Sequence, residues 1–244
     1  MKFKRIAKTV TLLVFLVGLQ INANASMAEE RDIVQTVPKT IDISAFLTAP
    51  KRDEIKQQAL ASYEEGISMY AANTPTFNNH KITWKISSIY YYIHPSVSAD
   101  RDLISNAGYN WVNTGYGWNN LYPCTQTTNI VNSAIDFLEI PSYPEDSRFV
   151  AYTLWYGRNS ANVAYRVEPN QSNWLFCEVR IIRNIMNQLS RGDRLGTLIH
   201  EMGHCWGLSH YNTNPYSIMC NLSAGRAVVL VQQCDHNTFK ALYG

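Results

Sequence analysis

The spacing of apolar and polar positions changes several times along this chain, and each change marks an element. Between Lys51 and Ala72, charged and apolar residues recur as on an amphipathic helix, which Asn73-Thr74-Pro75 would end. Trp84 to His94 contains Tyr90, Tyr91 and Tyr92 in succession and reads as a first strand, because aromatic side chains suit a pleated, half-buried surface. Ser98 to Asn113 changes to a helical period. Leu103, Ala107 and Trp111 recur every four residues there, and Asp100 and Asp102 give the acidic opening that a helix N-terminus favours. Strand-like runs follow at Asn129 to Ile140, Arg148 to Tyr156, Asn162 to Glu168 and Trp174 to Arg183, and a helix is expected after them.

The first 25 residues follow a different pattern. Lys2, Lys4, Arg5 and Lys8 form a basic start, Val10 to Leu19 an apolar stretch, and Ala23-Asn24-Ala25 a small-residue cleavage site. This predicts an export signal cleaved after about Ala25, and hence a secreted or periplasmic protein. The stretch is too short and one-sided for a membrane anchor. The whole chain carries a net charge of +2, but the signal holds four of its 21 basic residues and none of its 19 acidic ones. The mature chain, with 17 against 19, has a net charge of −2. No basic tract remains of the kind that nucleic acid or an anionic membrane would favour, so neither partner is expected. The mature length suffices to bury a core without help from a metal, and a monomer is expected. Ser26 to Ala49 has no pattern, and residues 26–80 read as either a propeptide or an N-terminal helical extension.

Five cysteines, Cys124, Cys177, Cys205, Cys220 and Cys234, sit in a chain expected to be exported, where disulfides persist. The odd number leaves at least one outside any intramolecular bridge. Core packing or a disulfide is expected for them rather than a reactive thiol.

The strongest chemical signal is His200 to His210, HEMGHCWGLSH. Histidines four residues apart share one helical face, so His200 and His204 can each turn a ring nitrogen to one metal ion. His210, six residues further on, cannot share that face; the helix must stop and the chain reverse, and Gly207 supplies the permissive backbone. Three neutral imidazoles on zinc leave a fourth position for water, whose pKa the cation lowers towards about 7. Glu201, beside that position, is the candidate general base. Short HExxH strings arise by accident on ordinary helices, but independent placement would give all five fixed positions in about one such chain in 10^5.

HExxHxxGxxH followed by a methionine turn resembles the metzincin clan of zinc peptidases. Pro215-Tyr216-Ser217-Ile218-Met219 resembles the matrixin form of the turn, with Met219 beneath the zinc site. Val231 to Gly244, VQQCDHNTFKALYG, is similar to the matrixin C-terminal helix; Cys234 stands where the first of two adjacent aspartates would be and Asp235 at the second. The resemblance implies that Asp235 braces the methionine turn, the alternative being a solvated helix aspartate. It further implies an α+β fold: a twisted, mostly parallel five-stranded sheet with an antiparallel edge strand, two long helices and a C-terminal helix, over residues 81–244. Val163 to Pro169 resembles the edge strand on which such peptidases dock an extended peptide. The segment 26–80 has no cysteine, so a thiolate latch on the zinc is not expected within it. One catalytic zinc is expected, held by His200, His204 and His210. Calcium stays open, since loop carbonyls and aspartates bind it without a readable motif. The expected function is a secreted zinc endopeptidase acting on protein or peptide through a zinc-bound water activated by Glu201. Two alternatives remain: a catalytically idle binding protein of the same fold, and a zinc hydrolase of a non-protein amide.

Overall fold

The computed structural model describes residues 73–84, 89–116, 124–140 and 149–244. The export signal, residues 26–49 and the helix expected over Lys51 to Ala72 lie outside them. The described chain is α+β. Its strands are β1 (Tyr90–Ile93), β2 (Thr125–Thr127), β3 (Ile135–Ile140), β4 (Ala151–Arg158), β5 (Ala164–Arg166) and β6 (Phe176–Ile182). The helices are α1 (Arg101–Val112), the short α2 (Arg183–Met186), α3 (Arg191–Trp206) and α4 (Gln233–Tyr243).

All six strands form one mixed sheet in the order β2-β1-β3-β6-β4-β5. The first four in that order are mutually parallel, and β4 runs against both its neighbours. Two sequence expectations are corrected here. The sheet has six strands rather than five, because Thr125–Thr127, three polar residues with no alternation to reveal them, add to β1. The antiparallel strand is β4, one place in from the edge, and the edge strand β5 runs with the majority. The tight connection between them dictates this: Asn159 N donates to Val163 O at 3.0 Å, the Asn159 side chain accepts from Ala161 N and Val163 N, and Asn162 turns the chain at φ 61°. A hairpin that short allows only antiparallel partners.

Boundaries move for local reasons. The run read as a strand from Asn129 begins as a 3-10 turn at Ile130–Asn132, because the Asn129 side chain accepts from Val131 N at 3.0 Å and caps it. The helix expected from Ser98 starts at Arg101, after a 3-10 segment opened by Pro95. Asp102 lies in its first turn, whereas Asp100 is buried and pairs with Arg183 and Arg194.

Along β6, Cys177, Val179 and Ile181 are fully buried while Phe176, Glu178 and Arg180 are only partly covered, the alternation of a strand with one face in the core. Ile135 and Phe137 of β3 pair with Cys177 and Val179 in register and are equally buried. Helices α1 and α3 contact each other, and α3 contacts β4 and β6. The layer holds Trp111, Trp174 and Trp206, all 1% exposed or less. This packing fixes α3, and α3 carries His200 and His204.

Candidate metal centre

Ser190 begins α3: its hydroxyl accepts from Asp193 N at 3.1 Å and donates to the Asp193 carboxylate at 2.7 Å. Gly207 ends it at φ 107°, and Leu208 N closes back on Gly203 O at 3.0 Å, a glycine C-cap bond. A Cβ at Gly207 would lie 2.5 Å from the His80 carbonyl oxygen, so conformation and space both demand glycine.

His200 and His204 are buried one turn apart with ring centroids 4.7 Å from each other. The reversal at Gly207 brings the His210 ring to 5.3 Å from His200 and 4.6 Å from His204. One nitrogen from each of the three rings lies within 4.8 Å of the others. His200 Nδ1 is 2.8 Å from the Ile218 carbonyl and His204 Nδ1 is 2.8 Å from the Leu208 carbonyl. A carbonyl only accepts, so each Nδ1 donates and each Nε2 keeps its lone pair. Burial holds all three histidines below their ordinary pKa, His204 down to about 3, and the neighbouring rings add to the effect at His200 and His204. His204 Nε2 and His210 Nε2 are 3.1 Å apart. Zinc–nitrogen bonds of about 2.0–2.1 Å in a tetrahedral shell require about 3.3 Å. The donor set, its tautomers and its spacing therefore fit a zinc ion held by His200, His204 and His210.

Met219 lies fully buried under this helix. A Cβ at Gly203 would clash with its Sδ and lie 2.9 Å from the Trp111 ring, so Gly203 must lack a side chain for the methionine to seat. Behind the turn, the fully buried Asp235 accepts from Ser217 Oγ at 2.5 Å, Thr74 Oγ1 at 2.6 Å, and Ile218 N and Gln232 N at 3.0 Å each. Asp235 is thus no solvated helix residue. It holds the amide of Ile218, whose carbonyl holds His200.

Glu201 is 5% exposed. Burial pushes its carboxyl up to about 7, opposed by a hydrogen bond from Thr153 and the positive charge of Arg226. Thr153 Oγ1 lies 2.8 Å from Glu201 Oε2. Arg226 is itself buried, with one guanidinium nitrogen 3.5 Å from Thr197 Oγ1.

The segment before β1 also serves the site. Thr76 forms an antiparallel bridge with Leu208, Phe77 N donates to Gly207 O at 3.0 Å, and Ser209 N donates to Pro75 O at 2.9 Å. The Phe77 ring sits 5.6 Å from His204 and 5.2 Å from Trp155, edge-on to the latter. Residues Thr74 to Phe77 brace the loop that delivers His210, although sequence reasoning placed them in the N-terminal extension. The sequence marked Thr74 only as part of a helix stop, and Phe77, Thr153 and Arg226 not at all. The one available signal was Thr153, a polar residue in a run read as a strand.

Cys205 is fully buried, and all five cysteines are free thiols. Burial pushes Cys124 up to about 12 and Cys220 and Cys234 up to about 11, which keeps these thiols protonated and packed. His94 Nδ1 and His236 Nδ1 pair with the hydroxyls of Ser96 and Thr114, each at 2.7 Å. Compared with known proteins, the chain matches no family model and no curated protein.

Proposed function

We propose that this chain is an exported zinc-dependent endopeptidase of the metzincin clan, with Glu201 as its general base. One observation carries the reading: three imidazoles, two with their Nδ1 protons already committed to carbonyls, converge on one point, and the residue that follows the first of them on α3, Glu201, is a buried carboxylate. When bound, zinc supplies Lewis-acid polarisation of a carbonyl and acidification of water. His200, His204 and His210 hold the ion. Ile218 and Leu208 keep two of the rings aimed, because each carbonyl fixes one tautomer. Glu201 takes a proton from the reacting water and returns it to the leaving amine, a task suited to a carboxyl poised near neutral pH.

The sheet edge supports a peptide as substrate. Among the described residues β5 pairs only with Tyr156, Gly157 and Arg158 of β4, and its three residues are exposed. An extended chain adding to such an edge gains main-chain hydrogen bonds whatever its sequence. The chain's N-terminal pattern, a basic start, an apolar stretch and a small-residue cleavage site, supports export.

Digestion of a peptide library, read by mass spectrometry, tests this. Wild-type protein should cut, a chelator should stop it, and Glu201→Gln should bind zinc yet leave the library intact. Cleavage at the wild-type rate by Glu201→Gln overturns the mechanism. No chelator-sensitive cleavage of any peptide overturns the peptidase and leaves an idle binding protein or a hydrolase of another amide.

A further inference from the structure

Thr153 reaches the candidate base from a different element, 48 residues earlier in the chain. It pairs with Val179 in the β4–β6 register, so its side chain falls on the buried face that α3 covers. Its Oγ1 is 2.8 Å from Glu201 Oε2 and 3.1 Å from the main-chain oxygen of the same residue. Both neighbours accept, and a threonine hydroxyl has one proton to give. It therefore serves one acceptor at a time, and the carboxylate, being charged and nearer, takes it.

We infer that Thr153 is a positioning residue for Glu201: its hydroxyl holds Oε2 and so leaves Oε1 to meet the reacting water. The inference rests on the proposed function and refines how the base is presented. A glutamate side chain has three rotatable bonds, and something must select which carboxylate oxygen is held. The Thr153 bond does. When Oε1 takes the proton of the reacting water, Oε2 goes on accepting from the Thr153 hydroxyl. No bond to carbon forms or breaks, and the hydroxyl keeps a partner in both states. β-branching helps, because Thr has fewer χ1 rotamers than Ser with which to lose the contact.

Thr153→Val keeps the shape and removes the hydroxyl; Thr153→Ser keeps the hydroxyl. In Thr153→Val, kcat should fall about tenfold or more, part of the 10²–10⁴ that a placed general base supplies. KM should stay within about twofold, and one zinc should remain bound. Thr153→Ser should stay within about threefold of wild type in kcat. Crystal structures of the zinc-loaded proteins give a readout independent of activity: the Glu201 carboxylate should be displaced in Thr153→Val and in place in Thr153→Ser. Should the valine protein not fold, Thr153→Ala carries the same expectations. A wild-type kcat without the hydroxyl, an unmoved carboxylate, or a serine variant as impaired as the valine one each overturns the inference. An inactive Glu201→Gln beside a fully active Thr153→Val defeats this inference alone, whereas an active Glu201→Gln defeats the functional reading beneath it.

Discussion

Burial penalises whichever form of a side chain is charged, so it pushes the acids and bases of this protein in opposite directions. At His200, His204 and His210 it favours the neutral imidazole that a metal needs. At Asp136, away from the histidines, the same penalty becomes a stability effect. Asp136 lies on β3 between Tyr92 and Glu178 in register, is 6% exposed, and its Oδ1 has no hydrogen-bond partner among the described residues. Burial pushes its carboxyl from 3.8 up to about 7, with the Ser133 hydroxyl opposing and the Glu178 charge reinforcing. The folded chain therefore keeps a proton that the unfolded chain loses near pH 4. The resulting stability, on the order of 4 kcal/mol, is full below about pH 4 and is lost as pH rises towards 7. Asp136→Asn carries no such linkage. Urea unfolding of the two proteins from pH 4 to pH 8 should show the variant gaining steadily on wild type and levelling off above pH 7. Parallel curves would rule out an ionising Asp136.

Within elements, the C-terminal end of α3 is where most of the site's order is stored. The last carbonyls of a helix have no partner within it, and burial makes each a liability. Here the Gly203 oxygen takes Leu208 N, the His204 oxygen takes Gly207 N and Trp155 Nε1, the Cys205 oxygen takes Trp174 Nε1 and the Trp206 oxygen takes the Tyr243 hydroxyl. Two tryptophans and a tyrosine thus pin the turn carrying His204. Trp174→Phe keeps most of the ring's bulk but orphans the buried Cys205 oxygen, and should cost about 1–3 kcal/mol. Thermal denaturation of the metal-free protein measures this; an unchanged Tm would mean that the indole bond to the helix contributes nothing. The grouping of His200, His204 and His210 was legible in sequence because such spacing is a local property: four residues are one helical turn, and Gly207 marks the reversal. The tryptophan caps, Thr153 and the Thr74 to Phe77 brace were not, because each reaches α3 from a remote segment whose register a single chain does not display. The reversed direction of β4 was hidden for the same reason, since alternation marks a strand but not its orientation.

Across the whole described unit, the histidine site is the meeting point of segments that hold one another without a metal. Thr74 binds Asp235 through its hydroxyl and Cys234 O through its amide, while Thr238 Oγ1 donates to Thr74 O at 2.6 Å. The start of the described chain is thereby tied to α4, α4 to the Met219 turn, and that turn to His200. A continuous apolar core runs from Ile82 through the sheet to Leu242. A zinc finger without its ion has no such core and unfolds. This chain should instead stay folded when stripped, because its two Nδ1 bonds and its glycine turn are satisfied by protein groups alone. Zinc then adds stability only by mass action: free zinc at a hundredfold its Kd contributes about 2.7 kcal/mol. For a domain of this size that is a rise in Tm of roughly 5–10 °C. Calorimetry with and without a chelator should give two cooperative transitions separated by about that interval, and far-ultraviolet circular dichroism should hardly differ between the two forms at 25 °C. A stripped protein that melts without cooperativity, or lacks helical signal before heating, would mean that the ion builds the site rather than occupying one the chain has already formed.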